Sequence, residues 1–405
     1  MTNQIVLSKR INDLLTARHE TMQWAEFIAR ILHKLELNPT EKARAKTKYD
    51  QLAHQVAKKL DIADNDVHVI VQGSMRTQTT ISPRGNTKFD LDIVVKITGS
   101  KYQNIDSDIF FDDFGQSLRG LNESSGDPIP KRRCWRLQYP GESFYFDVTP
   151  ALPGSKIITG TDLRVRDPET EWSPSNPEEF ADWFCTIAEK RFVFPHAQTL
   201  LKAEARQRID PLPDEKIGLD DVLRRAVQLI KLHRDNFYFG ATDKQKESQP
   251  ISVILVTLIT TAYNDLWNTH SQSMSSPIQL LLEVVDRMPR YISTTYGFRV
   301  ENPMHRQENF ADRWNQDQGL RFTEFNRWHN RLKDDLAAMF EEEYNKRSEQ
   351  RIRGVFGQAG VDSWKASQPP QATNIFGGLL ASQPTSGPQL NPTSPIKTGS
   401  RNTLA

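Results

Sequence analysis

The stretch that most constrains this chain is KFDLDIVVKI, residues 88–97. Phe89, Leu91, Ile93 and Val95 alternate along it, the period-2 pattern by which a β-strand buries one face. The other face then carries Asp90 and Asp92 beside Val94 and Lys96. Adjacent carboxylates repel each other, and Asp is a poor strand former. Such a pair makes sense where divalent cations neutralise it. Magnesium prefers oxygen ligands and is commonly shared between one or two carboxylates and substrate phosphates. Two ions about 3.5–4 Å apart bind the attacking and leaving oxygens of a phosphoryl displacement.

A site of this kind needs a third carboxylate from a neighbouring strand. ESFYFDVTP supplies one: Phe144, Phe146 and Val148 face one way, Tyr145 and Asp147 the other. Upstream, VHVIVQGSMRTQTT reads as a strand that breaks at Gly73-Ser74 into a short helix or turn. Backbone N–H groups and a hydroxyl at such a turn suit phosphate oxygens. Taken singly, each piece has an ordinary reading: a turn, a solvated strand face, an acid near a strand end. Solvent-facing acids, however, have no reason to follow the order strand, Gly-Ser, turn, Asp-x-Asp strand, later Asp strand. The combination is specific.

The rest of the chain frames that core. Residues from about 12 to 61 read as helices, with Asn38-Pro39-Thr40-Glu41 providing a cap, a first-turn Pro and an N3 Glu. SDIFFDDFGQSLRGLN reads as a helix. KRRCWRLQY and ESFYFDVTPAL form a hairpin around Tyr139-Pro140-Gly141. From Ser173 onward the pattern is helical. Asn176 and Glu179 repeat the Asn-Pro-x-Glu start, LDDVLRRAVQLIKLHRDNFY carries apolar residues at helical spacing, and a long charged helix is expected over roughly 322–352. After Trp364 the chain is too polar to fold alone. The expected organisation is N-terminal helices over 1–62 packing on both lobes, a sheet core over 63–170, a helical lobe over 171–362 and a disordered tail over 363–405.

Lys and Arg number 52 against 51 Asp and Glu, a net charge of +1. That balance argues against a protein coated in nucleic acid or bound to a membrane surface. KRRCWR at 131–136 interleaves basic residues with Trp135, but reads more simply as a strand with a solvated basic face. Two cysteines and nine scattered histidines form no disulfide or zinc pattern, so a reducing cytoplasm is expected. No signal peptide is read at the N-terminus, and ISVILVTLITTAY is too short and too rich in Thr to span a bilayer.

VQGSMRTQTTISPRGNTKFDLDIVVKI and FYFDVTPAL together resemble the signature of polymerase-β-like nucleotidyltransferases. In detail GSMRTQTTI, FDLDIVV, YFDVTPALP and WSPSNPEEFADWF are similar to the bacterial CD-NTases, relatives of cyclic-GMP-AMP synthase and oligoadenylate synthase that initiate CBASS antiphage signalling. The likeness covers roughly residues 10–350; the loop SPRGNTK is longer than in many nucleotidyltransferases.

The resemblance implies a bilobal α+β fold, with a polymerase-β-like core and a C-terminal helical lobe like that of oligoadenylate synthase. It implies two Mg²⁺ ions, replaceable by Mn²⁺, held by Asp90, Asp92 and Asp147. Asp147 would also help activate the attacking ribose hydroxyl. Gly73 and Ser74 would meet the donor phosphates, as would Lys231 on the helix LRRAVQLIKLHRDN and Ser252 at the next helix start. The implied reaction condenses nucleoside triphosphates into a cyclic di- or trinucleotide messenger that an effector reads, with release of pyrophosphate. A ubiquitin-activating-like enzyme would act on the tail ending Asn402-Thr403-Leu404-Ala405. Two other readings stay open at this point: transfer of a nucleotide to an RNA, protein or small-molecule acceptor, and a non-catalytic nucleotide-binding protein of the same fold.

Overall fold

In the computed structural model, residues 7–81, 88–121, 126–154, 161–194, 221–270 and 273–366 are described; residues 363–366 of the expected disordered tail are helical instead, while the rest of the tail, its last four residues and most of the SPRGNTK loop lie outside the described residues. Helices α1 (Leu7–Ala17), α2 (Thr21–Lys34), α3 (Pro39–Asp50) and α4 (Leu52–Leu60) open the chain. The expected capping box forms at α3: Asn38 Oδ1 accepts from the Thr40 N–H, and Glu41 reaches back to the Asn38 N–H. These helices divide between two cores. Ile11, Leu15, Trp24 and Phe27 pack with the C-terminal helices, whereas Leu52, Val56 and Leu60 pack on the sheet.

Strand β1 (Val67–Val71) leads through the short helix α5 (Gly73–Arg76) to β2 (Phe89–Ile97), as the alternation predicts. Helix α6 (Ser107–Ser117) then crosses over, which lets β2 pair in parallel with a later strand. Strands β3 (Ile129–Pro130), β4 (Trp135–Gln138), β5 (Phe144–Pro153), β6 (Leu163–Asp167) and β7 (Glu171–Ser175) complete a seven-stranded mixed sheet, in which β1, β2, β5, β4 and β3 lie side by side. Sequence periodicity had not singled out β6 and β7, which are short and interrupted by Arg164, Arg166 and Pro174. Phe89, Leu91, Ile93, Phe144, Phe146 and Leu137 form the buried face, covered by α4 and by Phe110 and Phe114 of α6.

The remaining elements are α7 (Pro177–Ala188), α8 (Val222–Tyr238), α9 (Asp243–Glu247), α10 (Ser252–Thr269), α11 (Pro277–Arg287), the β8 (Glu301–Asn302) and β9 (His305–Asn309) pair, α12 (Leu320–Glu341) and α13 (Glu349–Ala366). The fold is α+β, as expected. One expectation fails: the single charged helix over 322–352 is two helices. Glu342 leaves the helical region at φ −70°, ψ 145°. The Tyr344 N–H donates to Glu20 Oε1 at 2.9 Å, and Ser348 bonds the Glu342 carboxylate. Trp24 meets Phe340 and Tyr344 edge-on, with centroids 5.5 and 5.4 Å apart. Contacts with α2 outweigh helix propensity here. Among the described residues no helix is long and apolar enough to cross a membrane.

Candidate active site

The acids assemble through register. In the parallel β2–β5 pair, Asp92 lies opposite Asp147 and Asp90 opposite Tyr145, so all four side chains share one face. Antiparallel β4 adds Arg136 opposite Asp147 and Gln138 opposite Tyr145. Strand β1 stops at Val71, opposite Ile93, just where the acids begin. The Gln72 N–H still bonds the Asp92 carbonyl, and Gly73 then turns with φ +64° against the Asp92 side chain. A Cβ at Gly73 would lie 2.2 Å from Asp92 Oδ2, so only glycine fits that turn.

The short helix is tied down by its own threonines. The Thr77 N–H and hydroxyl bond the Gly73 carbonyl, the Thr79 N–H bonds the Ser74 carbonyl, and Thr80 Oγ1 donates to Ser74 Oγ at 3.1 Å. Helix α8 docks on the same turn. Arg224 Nε donates to the Thr77 carbonyl at 2.9 Å, and Gln228 Nε2 to that of Thr80 at 3.4 Å. Arg224 and Gln228 therefore form an interface with the turn. Two turns along, half-buried Lys231 faces the acids. Burial and the Arg234 charge lower its pKa, against the pull of Asp90, Asp235 and Asp92. Ser252, at the start of α10, accepts from Arg234 Nη1 at 3.0 Å, so its hydroxyl is engaged by the guanidinium neighbouring Lys231.

The electrostatics are lopsided. Asp92 is pushed up to about 7, by burial first and then by the charges of Asp90 and Asp147, with Lys231 and Arg136 opposing. This excess of negative charge on hard oxygen donors is what a divalent cation would relieve, and the donor set fits magnesium or manganese. Among the described residues, however, no three His, Cys, Asp or Glu side chains close into a ligand cluster. At this site Arg136 engages both oxygens of Asp147, at 2.8 and 2.7 Å, while lying 3.8 Å over the Tyr145 ring. Nearby Cys134 is pushed up to about 12 by burial and by Asp147 and Asp92, which leaves its thiol inert.

Two arginines matter here that sequence reasoning passed over. Arg136 sat inside a segment read only as basic, yet the hairpin turn at Tyr139-Pro140-Gly141 sets it opposite Asp147. Arg234 carried no signal beyond its place one turn after Lys231. The other arginines of KRRCWR are also spoken for: Arg132 and Arg133 both bond buried Asp167, and Trp135 stacks on Phe111. The arginines of that segment are ion-paired, which disfavours a nucleic-acid surface.

Comparison with known proteins meets this geometry. The model of the Second Messenger Oligonucleotide or Dinucleotide Synthetase domain matches residues 22–187. A c-di-GMP synthase from Roseivirga ehrenbergii is 30% identical over 313 residues, covering 74% of this chain and 75% of that protein. The chain belongs to the bacterial CD-NTases. It is a nucleotidyltransferase. The CD-NTase fold is shared with the Bradyrhizobium diazoefficiens CdnG structure in complex with GTP, at a TM-score of 0.63 and 22% identity over 84% of this chain and 97% of that one. It is shared also with GTP-bound DncV of Vibrio cholerae, at a TM-score of 0.51 and 15% identity over 87% and 91%.

Proposed function

We propose that this CD-NTase condenses nucleoside triphosphates into a cyclic dinucleotide or trinucleotide in a reaction that requires divalent cations. The observation that carries this reading is the register that sets Asp90, Asp92 and Asp147 on one face, with Gly73 against Asp92 and Lys231 opposite. Its relative is named a c-di-GMP synthase, which makes GTP the first substrate to offer and a two-membered ring the first product to seek.

Asp90, Asp92 and Asp147 would hold two Mg²⁺ ions, for which Mn²⁺ would substitute. When bound, the ions neutralise charge on the triphosphate and lower the pKa of the attacking hydroxyl. The Gly73 and Ser74 N–H groups, the Ser74 hydroxyl and Lys231 would orient the donor phosphates, with Ser252 acting through Arg234. Asp147 would take part in drawing the proton from the acceptor ribose hydroxyl. A new O–P bond then forms at the α-phosphorus, the α–β anhydride bond breaks, and pyrophosphate leaves. A second, equivalent attack within the linear product closes the ring. Positioning and charge neutralisation supply the rate, without a covalent enzyme intermediate.

The setting we propose is the bacterial cytoplasm, with an effector that answers the messenger in CBASS antiphage defence and a ubiquitin-activating-like enzyme acting on the C-terminal tail. The test is incubation of the purified chain with labelled ATP, GTP, CTP and UTP and Mg²⁺ or Mn²⁺, followed by phosphatase treatment and chromatography. A phosphatase-resistant product is expected, absent from the Asp90→Asn/Asp92→Asn variant. An equal yield from that variant would overturn the assignment of the acids.

A further inference from the structure

The three acids are not equivalent. The carboxylates of Asp90 and Asp92 receive no hydrogen bond from any described residue, whereas Asp147 spends both oxygens on Arg136. The bond is a parallel, charge-assisted pair, at 2.8 Å from Nε and 2.7 Å from Nη2. This is the strongest form of guanidinium–carboxylate contact. Two features set it firmly: the β4–β5 register places Arg136 opposite Asp147, and the guanidinium lies 3.8 Å over the Tyr145 ring. The pair is only partly exposed, Asp147 at 14% and Arg136 at 26%, so water competes little for it.

We propose that Arg136 is an internal counter-ion that withholds Asp147 from the cation site, so that the third carboxylate joins only when a cation displaces the guanidinium. The idea rests on the reading of Asp90 and Asp92 as cation ligands. Both oxygens of Asp147 face the fork, so turning one toward a cation between the strands opens at least one of the two hydrogen bonds. A cation with its full positive charge and a bound triphosphate can drive that exchange; a cation alone meets only Asp90 and Asp92. The stack on Tyr145 does not depend on Asp147, so the released guanidinium keeps a resting place within the site. Arg136 thereby acts as a positioning residue. It offsets part of the repulsion among three acids on one sheet face in the resting protein and delays completion of the site.

The test is Mn²⁺ binding to the full chain without nucleotide, followed by the paramagnetic signal of free Mn²⁺. Arg136→Lys keeps the charge but loses the two-pronged grip, and we expect it to tighten Mn²⁺ binding roughly threefold or more. Arg136→Met removes charge and grip together, with an effect of about tenfold. In an Asp147→Asn background both gains should vanish, because no carboxylate is left to be withheld. Melting curves on each variant establish that it is folded, and Arg136→Lys serves where Arg136→Met is not. Unchanged binding by Arg136→Lys, or a gain that persists in the Asp147→Asn background, would overturn the counter-ion role alone. Full Mn²⁺ binding by Asp90→Asn/Asp92→Asn would instead overturn the reading of the site on which it rests.

Discussion

Gly73 lies so close to Asp92 that a Cβ on it would come within 2.2 Å of Asp92 Oδ2, at a backbone angle of φ +64°. Gly73→Ala therefore combines left-handed strain with a clash against a side chain that the sheet holds in place. It should cost about 1–2 kcal/mol of stability through the backbone alone. Activity should fall much further, since relief of the clash displaces either Asp92 or the turn proposed to meet the donor phosphates. Melting temperature measured beside product formation separates the two effects.

The acid face costs stability, and the proposed chemistry is what would require it. Asp92 carries a charge that burial and its two acidic neighbours oppose, so Asp92→Asn should abolish synthesis yet stabilise the protein in chelator at neutral pH by about 1–2 kcal/mol. Denaturant unfolding with and without Mg²⁺ is the measurement. The wild type should gain stability from the cation, and the variant should gain less.

Asp167 presents the opposite case. Burial pushes its pKa up, but bonds from Arg133, the Glu169 N–H and Arg132 outweigh that and leave it at about 2. A depressed carboxylate pKa contributes stability that is complete above the unfolded value near 4 and is lost as pH falls toward 2. Asp167→Asn should accordingly be about 2 kcal/mol less stable than wild type at pH 7, with the gap closing in acid. Arg133 also bonds Asp312 at 2.9 Å, so the same substitution loosens the link from the sheet to the segment before α12. Unfolding followed from pH 2 to 7 tests this.

Lys231 should be needed for nucleotide handling and not for folding. Lys231→Met relieves a cation from an environment that disfavours it, so stability should hold or rise while kcat/KM for the triphosphate drops roughly 100-fold. Lys231→Arg should recover only part, because a guanidinium cannot match the ammonium's point contact with phosphate. Ser252→Ala should act more mildly, about 1 kcal/mol in kcat/KM, since its hydroxyl serves through Arg234. Steady-state kinetics across the three variants orders them.

What the sequence determined by itself is local. Alternation places Asp90 and Asp92 opposite Phe89, Leu91 and Ile93, and the same rule places Asp147 opposite Phe146, because a strand's side-chain period is two whatever surrounds it. The Asn38 and Asn176 caps were equally readable, since each accepts an N–H from its own first turn. The tertiary structure decided the rest. It broke the helix expected over 322–352 where Tyr344 meets Trp24 and Glu20, partners more than 300 residues away in sequence. It turned Arg224 and Gln228 of α8 onto the carbonyls of Thr77 and Thr80, and the arginines of the segment at 131–136 onto Asp147 and Asp167. Burial and charge neighbourhoods depend on distance in space, and no local spacing encodes them. The strand face that Asp90, Asp92 and Asp147 occupy was therefore legible in the sequence, while the unequal hold on them, Asp90 and Asp92 open and Asp147 bound to Arg136, arose only when the strands came into register.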